Sequence, residues 1–380
     1  MGNRPFFRNL GGTMIAGRVK HIEASGIRKV FELVATMEDP VNLSIGQADY
    51  DPPVELQEAA VRAIRGGWNR YSVTQGFPEL NEKILDRYEE IQGVRPEASM
   101  LTCGVSGGVL LSFLCLLEAG DEILLPDPYF MMYRHLALMC GAEPKYYSLY
   151  PDFRPSLGEI ESLLSKRTKI ILVNSPSNPT GGVFAEEELR KIGEMADKAG
   201  AVLVSDEIYE QFVYEGPFVS PGRFAGKSLV LGGFSKTFGI PGWRQGFALG
   251  PAEIIEPMRT LQQFTFVCAP TPFQRAILDT WGLDMSGYVK AYVEKRRILV
   301  EGLDPVFRLV PPQGSFYAFP SYPEGLDPGE FLEKALARKV LVVPGSAFSS
   351  RNTHFRISFA APDEKIREGV RILNEIARGG

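Results

Sequence analysis

Lys236 and Arg244 are the residues of this 380-residue chain whose types and spacing point most directly to chemistry. Lys236 follows an apolar run at residues 229–231 and is surrounded by small residues, and Arg244 comes eight positions after it. A lysine amine can form an imine with a carbonyl compound, and an arginine can hold a doubly charged anion beside it. The segment therefore indicates covalent chemistry next to an anion site. The alternative is a surface loop that carries two ordinary cations.

Short apolar runs in the middle of the chain alternate with helical patterns. The runs cover residues 122–126, 169–174, 201–205 and 228–232. Such alternation predicts an α/β unit with helices around a largely parallel sheet. Ligands of these sheets gather beyond the carboxyl ends of the strands, which is where Asn174, Asp206 and the Gly232 loop would lie.

A different pattern begins near residue 284, where the alternation gives way to a long helical segment at residues 288–301. Short strand patterns follow at residues 315–319 and 354–359, and a final helix is expected from Asp363. We interpret this part as a second, smaller α+β domain, because 380 residues are too many for one compact core.

Several segments resemble, in their order along the chain, the motifs of the class I aminotransferases among the fold-type I pyridoxal phosphate (PLP) enzymes. They include residues 43–47, 102–108, 127–130, 174–182, 206–209, 232–244 and 354–359. The resemblance implies an α/β fold in which helices flank a large, mostly parallel sheet, with a smaller α+β domain built from both termini. The implied boundaries are 1–45 for an N-terminal arm and part of the small domain, 46–283 for the large PLP-binding domain and 284–380 for the small C-terminal domain.

The resemblance implies PLP as the cofactor and Lys236 as the catalytic residue that holds it through an imine. A glycine- and serine-rich turn before a helix offers free N–H groups to a phosphate, and Arg244 can bind the same phosphate through two hydrogen bonds. A carboxylate at a buried strand end needs a partner, and Asp206 would find one in a protonated pyridine nitrogen. The implied cofactor-binding residues are Gly104, Val105, Ser106, Phe130, Asn178, Asp206, Tyr209, Ser235, Arg244 and Tyr71.

Substrate binding is implied for three residues, of which Arg356 is the most telling. Arg356 lies in an otherwise apolar strand pattern, and a buried guanidinium needs an anion. By resemblance, Arg356 binds the substrate α-carboxylate, with Gly46 and Asn178 beside it. Tyr71 would reach the phosphate bound by a neighbouring subunit, which implies a homodimer with shared active sites. The structural alternatives are a salt bridge at Arg356, an exposed aromatic side chain at Tyr71 and a helix cap at Asp206.

The implied function is a PLP-dependent aminotransferase that moves an amino group from an L-amino acid to 2-oxoglutarate in a ping-pong cycle. Aspartate is the favoured donor, and alanine, aromatic amino acids and kynurenine are alternatives. A C–S β-lyase on the same fold, a PLP-binding regulator and a nicotinamide dehydrogenase are the other functions considered. Spacing does not decide the donor, because cations and aromatic residues could both approach the site: Arg18, Arg28, Lys29, Phe6, Phe7, Phe31 and Phe266.

Composition argues against several other classes of function. The net charge of −5 argues against a nucleic-acid partner, and no apolar run approaches the ~20 residues that a membrane helix requires. The three histidines lie in no recognisable catalytic motif and the four cysteines lack metal-ligand spacing, so no metal is expected. Reduced and mostly buried cysteines would suit a cytoplasmic enzyme.

Overall fold

The computed structural model describes residues 16–22 and 37–379 of the chain. Its strands are β1 (Val41–Asn42), β2 (Ala98–Cys103), β3 (Glu122–Asp127), β4 (Glu143–Ser148), β5 (Thr168–Asn174), β6 (Val202–Asp206), β7 (Ser228–Gly233), β8 (Gln245–Gly250), β9 (Tyr317–Ala318), β10 (Val340–Leu341), β11 (Val343–Pro344) and β12 (Phe355–Ser358). Its helices are α1 (Val54–Arg65), α2 (Pro78–Gln92), α3 (Gly104–Leu116), α4 (Met132–Met139), α5 (Leu157–Leu163), α6 (Glu186–Ala199), α7 (Ala252–Thr265), α8 (Thr271–Asp279), α9 (Ser286–Gly302), α10 (Pro328–Ala337) and α11 (Asp363–Ala377).

The largest sheet has seven strands in the order β2-β8-β7-β6-β5-β3-β4. Neighbouring strands are parallel except at β8, which runs against both β2 and β7. The predicted large and mostly parallel sheet is therefore confirmed, and its four predicted strands are β3, β5, β6 and β7. Strand β8 was not expected from the sequence, because it contains two glycines and no β-branched residue.

Both faces of the central strands are buried, which explains their continuous apolar sequences. In β5, Ile170 and Leu172 belong to the hydrophobic core that includes α3, whereas Ile171 and Val173 belong to a separate core that includes α6. Helix α3 follows β2 directly, and α6 lies between β5 and β6. Helices therefore cover the sheet and keep its strand ends in fixed positions.

A second, smaller group of elements consists of β1 and the strands and helices that follow α8. Strands β11, β12 and β9 form an antiparallel sheet, and β1 pairs in parallel with β10. The predicted long helix, the two strand patterns and the final helix are found as α9, β9, β12 and α11. A segment from the N-terminal part of the chain thus joins C-terminal elements, while the domain boundaries at 45/46 and 283/284 stay a prediction.

Residues 43–50, called the strap below, run from the small sheet to the loop that follows β7. Leu43 donates its N–H to the Leu341 carbonyl oxygen at 2.9 Å and accepts the Ser358 N–H at 2.8 Å. At the other end of the strap, the Tyr50 hydroxyl donates to the Thr237 carbonyl oxygen at 2.6 Å. The strap therefore brings its middle residues against the loop that contains Lys236.

Candidate active site

A cavity of about 330 Å³ lies at the carboxyl ends of the central strands. Asn174 and Asp206 end β5 and β6 and are paired in the sheet register, and Lys236 follows β7 at the same edge. Most of the predicted site residues line this cavity: Gly46, Val105, Ser106, Phe130, Asn178, Asp206, Tyr209, Ser235, Lys236, Arg244 and Arg356. Gly104 and Tyr71 lie outside the lining.

Lys236 supplies a half-buried amine to the cavity wall. Its Nζ donates a hydrogen bond to the Gly46 carbonyl oxygen at 2.6 Å. Desolvation by burial lowers the pKa of Lys236 to about 8, with the charges of Arg356 and Arg244 acting in the same direction and Asp206 opposing them. More of this amine is unprotonated at neutral pH than for an exposed lysine, which favours attack on a carbonyl carbon.

Asp206 places a buried carboxylate at the end of β6, with 4% of its surface exposed. Its Oδ2 accepts a hydrogen bond from the Tyr133 hydroxyl at 2.7 Å, and its Oδ1 accepts one from the Ile208 N–H at 3.2 Å. Burial raises the pKa of Asp206 to about 6, although both hydrogen bonds and the Lys236 charge lower it. Within the described part of the chain these donors are neutral, so a cationic N–H of a ligand ring would suit the site.

The first turn of α3 lies beside the guanidinium of Arg244. Gly104 has a φ of +68°, and a Cβ atom there would lie 2.6 Å from Nη2 of Arg244. A glycine is therefore required for Arg244 to lie beside the start of the helix, where N–H groups are free. Val105 and Ser106 face the cavity, and Arg244 Nη1 donates to the Pro241 carbonyl oxygen at 2.8 Å.

Arg356 brings a guanidinium to the cavity from β12 with 1% of its surface exposed. Its Nη1 donates to Asn178 Oδ1 at 3.0 Å, and its Nη2 donates to the Ser44 carbonyl oxygen at 2.7 Å. The rings of Tyr317 and Phe348 lie 4.4 and 4.9 Å from the guanidinium carbon. Both acceptors are neutral, and Nε has no hydrogen-bond partner among the described residues. A structural salt bridge is therefore not found in residues 16–22 and 37–379, and a carboxylate ligand would compensate the charge.

Aromatic and hydroxyl groups complete the cavity wall. The Phe130 ring lies 5.8 Å from the Tyr133 ring and lines the cavity beyond the end of β3. The Tyr209 hydroxyl lies 3.0 Å from the Tyr317 hydroxyl, and the buried Ser235 also faces the cavity. A flat ligand ring could contact Phe130 while its polar groups reach these hydroxyls.

Tyr71 lies apart from the cavity and is 82% exposed. Other large apolar side chains nearby in the sequence are exposed as well: Val61, Ile64, Trp68 and Val73. The predicted role of Tyr71 at a neighbouring subunit's phosphate stays a prediction, because this single chain contains no second subunit.

Tyr133 and Tyr317 both line the cavity, although the sequence did not predict them as site residues. Tyr133 follows Phe130 by three residues, and Tyr317 lies in the strand pattern predicted at residues 315–319. A tyrosine of the hydrophobic core would fit either position equally well. The sequence alone therefore contained no signal that distinguishes a cavity tyrosine from a core tyrosine. The hydrogen bonds to Asp206 and Tyr209 reveal their relation to the site.

Several minor predictions are wrong, and others concern residues that lie outside the described ranges. The four cysteines are free but half-buried, and not mostly buried as predicted. Phe266 does not line the cavity, Arg18 is exposed in the turn Gly17–His21, and Phe6, Phe7, Arg28, Lys29 and Phe31 lie outside the described residues. Across the described ranges, no group of three or more acidic, histidine or cysteine side chains could hold a metal ion, and no helix could span a membrane.

The fold and the cavity bring a lysine amine, two arginines and a buried carboxylate together at the carboxyl ends of a mostly parallel sheet. A family model described as "Aminotransferase class I and II" matches residues 38–373. The chain therefore belongs to this family, whose members generally depend on PLP, and the protein is an aminotransferase.

Individual relatives agree with this assignment. A probable aspartate aminotransferase of Methanocaldococcus jannaschii is 34% identical over 375 residues, which cover 96% of this chain and 100% of the relative. The structure of Thermus thermophilus aspartate aminotransferase with maleate has a TM-score of 0.89 and 33% identity, and the match covers 96% and 99% of the two chains. An alanine aminotransferase from Pyrococcus furiosus has a TM-score of 0.90 and 30% identity, with 96% and 100% covered. These comparisons do not favour the β-lyase, the regulator or the dehydrogenase.

Replacing Asp206 by Asn should stabilise the cofactor-free protein at pH 7. The folded state binds the Asp206 proton more tightly than the unfolded chain, whose carboxyl pKa is about 3.9. The wild-type carboxylate therefore destabilises the fold increasingly as the pH rises from about 4 to about 6. In denaturant unfolding, we expect Asp206→Asn to gain on the order of 2 kcal/mol at pH 7 and almost nothing at pH 4.

The matched control for this prediction is Glu187→Gln, which changes an exposed carboxylate on α6 and should alter stability little at either pH. A gain for Asp206→Asn of the same size at both pH values would contradict the proposed cause.

Proposed function

We propose that this aminotransferase uses PLP to move the α-amino group of an L-amino acid, with aspartate as the preferred donor, to 2-oxoglutarate. The observation that carries the proposal is the convergence of the Lys236 amine, the Asp206 carboxylate and the Arg356 guanidinium on one cavity. These three groups have the chemical types needed to hold an aldehyde, stabilise a ring cation and bind a carboxylate.

Two features of the cavity support PLP as the cofactor. The buried Asp206 carboxylate has neutral hydrogen-bond donors and would pair with a ring N–H cation. The glycine at position 104 leaves room for Arg244 beside the N-terminus of α3, where a phosphate would find several donors. We assign the phosphate to Gly104, Val105, Ser106, Ser235 and Arg244, the ring face to Phe130, and the phenolic oxygen to Asn178 and Tyr209.

Lys236 would have two tasks in the reaction. Its Nζ would hold the cofactor and, when free, would take the proton from the substrate Cα. When bound, PLP supplies an electron sink that stabilises negative charge at this carbon. The pKa of about 8 suits an amine that must accept and return a proton near neutral pH. The Gly46 carbonyl oxygen, 2.6 Å from Nζ, orients the free amine.

Arg356 would fix the substrate through its α-carboxylate. The guanidinium is held by Asn178 Oδ1 and the Ser44 carbonyl oxygen, which leave its charge uncompensated. A carboxylate that enters the cavity would therefore gain a charge-assisted hydrogen bond without displacing an existing ion pair. The Asn178 amide nitrogen stays available for the cofactor, because its oxygen serves Arg356.

The choice of aspartate rests on the names of the relatives from M. jannaschii and T. thermophilus. A second carboxylate on the donor needs a further cation or hydrogen-bond donor besides Arg356. Arg18 is exposed in a turn that packs against α4, and Met132 at the start of that helix lines the cavity. This placement supports Arg18 as a candidate, with alanine, aromatic amino acids and kynurenine as the donors to compare.

A homodimer with shared sites is part of the proposal, and so is a cytoplasmic location suited to free cysteines. Tyr71 is exposed and apolar side chains near it are exposed too, as expected for a surface that a second subunit covers. Tyr71 of each subunit would then reach the phosphate held by the other.

The central test compares donors and acceptors with the purified enzyme. Aspartate and 2-oxoglutarate should give oxaloacetate and glutamate, with lower kcat/KM for alanine, aromatic amino acids and kynurenine. Lys236→Ala should lose turnover and the visible absorbance of the lysine-bound cofactor, whereas the exposed Lys191→Ala should retain both. Ammonia and an oxo acid formed without any acceptor would indicate a lyase, and full activity of Lys236→Ala would contradict its role.

Arg356→Ala should impair the use of α-carboxylate substrates far more than it changes cofactor binding. Loss of a buried charge-assisted contact is expected to lower kcat/KM for aspartate by about 10²- to 10³-fold, or about 3–4 kcal/mol. The absorbance of the resting holoenzyme should stay close to that of the wild type. Arg371→Ala, on the exposed face of α11, is the control. An equal loss of PLP affinity and substrate use would point to a structural role.

The shared site predicts a particle of twice the 42.1 kDa chain mass in sedimentation equilibrium. Tyr71→Phe should remain dimeric and bind PLP about tenfold more weakly, because one hydrogen bond to a charged phosphate is lost. A monomer would contradict the dimer, and an unchanged PLP affinity of Tyr71→Phe would contradict the role of the hydroxyl.

A further inference from the structure

Tyr317 touches two groups that have separate tasks in the proposed reaction. Its ring lies 4.4 Å from the guanidinium carbon of Arg356, and its hydroxyl lies 3.0 Å from the hydroxyl of Tyr209. It lines the cavity from β9 with 1% of its surface exposed. Tyr317 therefore connects the carboxylate-binding arginine with the tyrosine that faces the cofactor.

The space for the Tyr317 hydroxyl depends on Gly46 in the strap. A Cβ atom at position 46 would lie 2.6 Å from this hydroxyl oxygen, a distance that real contacts do not reach. The Gly46 carbonyl oxygen is also the acceptor for Lys236 Nζ. The hydroxyl is thus held in a closely packed position between the strap and Tyr209.

The two buried hydroxyls share one hydrogen bond, so only one of their protons can lie between them. Among the described residues, each hydroxyl has the other as its hydrogen-bond partner. Burial raises the pKa of Tyr317, and the adjacent Arg356 charge is the main influence that lowers it. For Tyr209, burial and the neighbouring Tyr317 raise the pKa well above its usual value, with Arg356 a smaller opposing influence. The Arg356 guanidinium carbon lies 4.4 Å from the Tyr317 ring, and a cation beside this ring makes its hydroxyl the better donor, which favours donation from Tyr317 to Tyr209.

We propose that Tyr317 is a positioning residue that donates its hydroxyl proton to Tyr209 and so keeps the Tyr209 proton directed into the cavity as a donor to the cofactor. The ring of Tyr317 has a second task, since its face supports the Arg356 guanidinium. This inference rests on the proposed function, because it assumes that Tyr209 faces the phenolic oxygen of PLP.

Two substitutions distinguish the effect of the Tyr317 hydroxyl from the effect of its ring. Tyr317→Phe removes the proton donor and keeps the aromatic face beside Arg356. Tyr317→Leu removes both. The hydroxyl should therefore affect the cofactor side of the cavity, whereas the ring should affect carboxylate binding.

Each variant is reconstituted with PLP, and its visible absorbance is measured as a function of pH. The absorbance changes when the nitrogen of the lysine–cofactor imine gains or loses its proton. A donor to the phenolic oxygen stabilises the unprotonated imine more than the protonated one. Tyr317→Phe should therefore raise the midpoint of this change by about one pH unit. The groups that face Tyr209 are Tyr133, Asp206, Lys236 and Arg356, and the substitution leaves all of them in place.

Binding of succinate, a carboxylate without an amino group, measures the Arg356 side of the cavity. Its affinity should stay within about twofold in Tyr317→Phe and fall about tenfold in Tyr317→Leu, because a buried cation–π contact is lost in the second variant only. Tyr322→Phe is the matched control, since Tyr322 is buried and lies outside the cavity lining. It should change neither the absorbance midpoint nor the affinity.

A double-mutant cycle tests whether Tyr317 acts through Tyr209. In the background of Tyr209→Phe, the additional change Tyr317→Phe should shift the midpoint no further. The inference would be overturned if the two substitutions shifted the midpoint additively, or if Tyr317→Phe alone left the midpoint unchanged. In either case, PLP binding by the wild type would still support the proposed function. A wild-type protein without a PLP-dependent absorbance would overturn both.

Discussion

Charge that is buried without an ion-pair partner is the constraint on which the cavity depends. Arg356 and Asp206 are both almost fully buried, yet the described hydrogen-bond partners of each are neutral. Buried charges without an ion-pair partner are costly, and for this reason burial raises the pKa of Asp206. The hydrogen bonds from Tyr133 and to Asn178 reduce the cost without cancelling the charge. The site is therefore prepared for ligand groups of opposite charge, and part of the binding free energy of such ligands comes from this preparation.

The architecture can support these charges because each one is attached to an element with little freedom to move. Asp206 ends β6, which lies in the middle of the large sheet with both faces covered. Arg356 lies in β12, the central strand of the small sheet. A carboxylate or guanidinium on a mobile loop would turn towards water, and its pKa would return to the usual range. The two sheets thus keep the charged groups in place, while the loop of Lys236 and the strap lie between them.

The sequence predicted most of the large sheet and most of the cavity lining, for identifiable reasons. Strands β5, β6 and β7 are apolar on both faces, and Asp206 and Lys236 follow such strands at the edge where ligands bind. Strand β8 escaped prediction because its stability comes from pairing with β2 and β7 and not from its own residues. The roles of the individual cofactor-binding residues came from the family resemblance.

Two tyrosines of the cavity show which contacts cannot be predicted from a single sequence. Tyr133 and Tyr317 acquire their relation to the site through hydrogen bonds to residues 73 and 108 positions away. No local pattern encodes such contacts, since a buried tyrosine on a helix or strand has the same local sequence preferences in any core. For Tyr71, the predicted role depends on a second subunit and therefore stays a prediction.

The strap has a mechanical consequence for the enzyme. The Ser44 carbonyl oxygen accepts from Arg356, and the Gly46 carbonyl oxygen accepts from Lys236. Three consecutive peptide planes therefore separate the acceptor of the guanidinium from the acceptor of the amine, and only the φ and ψ rotations of Ile45 and Gly46 lie between them. A ligand that displaced Arg356 from Ser44 would act on the same short segment whose Gly46 carbonyl oxygen accepts from the amine. The orientations of the guanidinium and of the amine thus depend on one short piece of backbone.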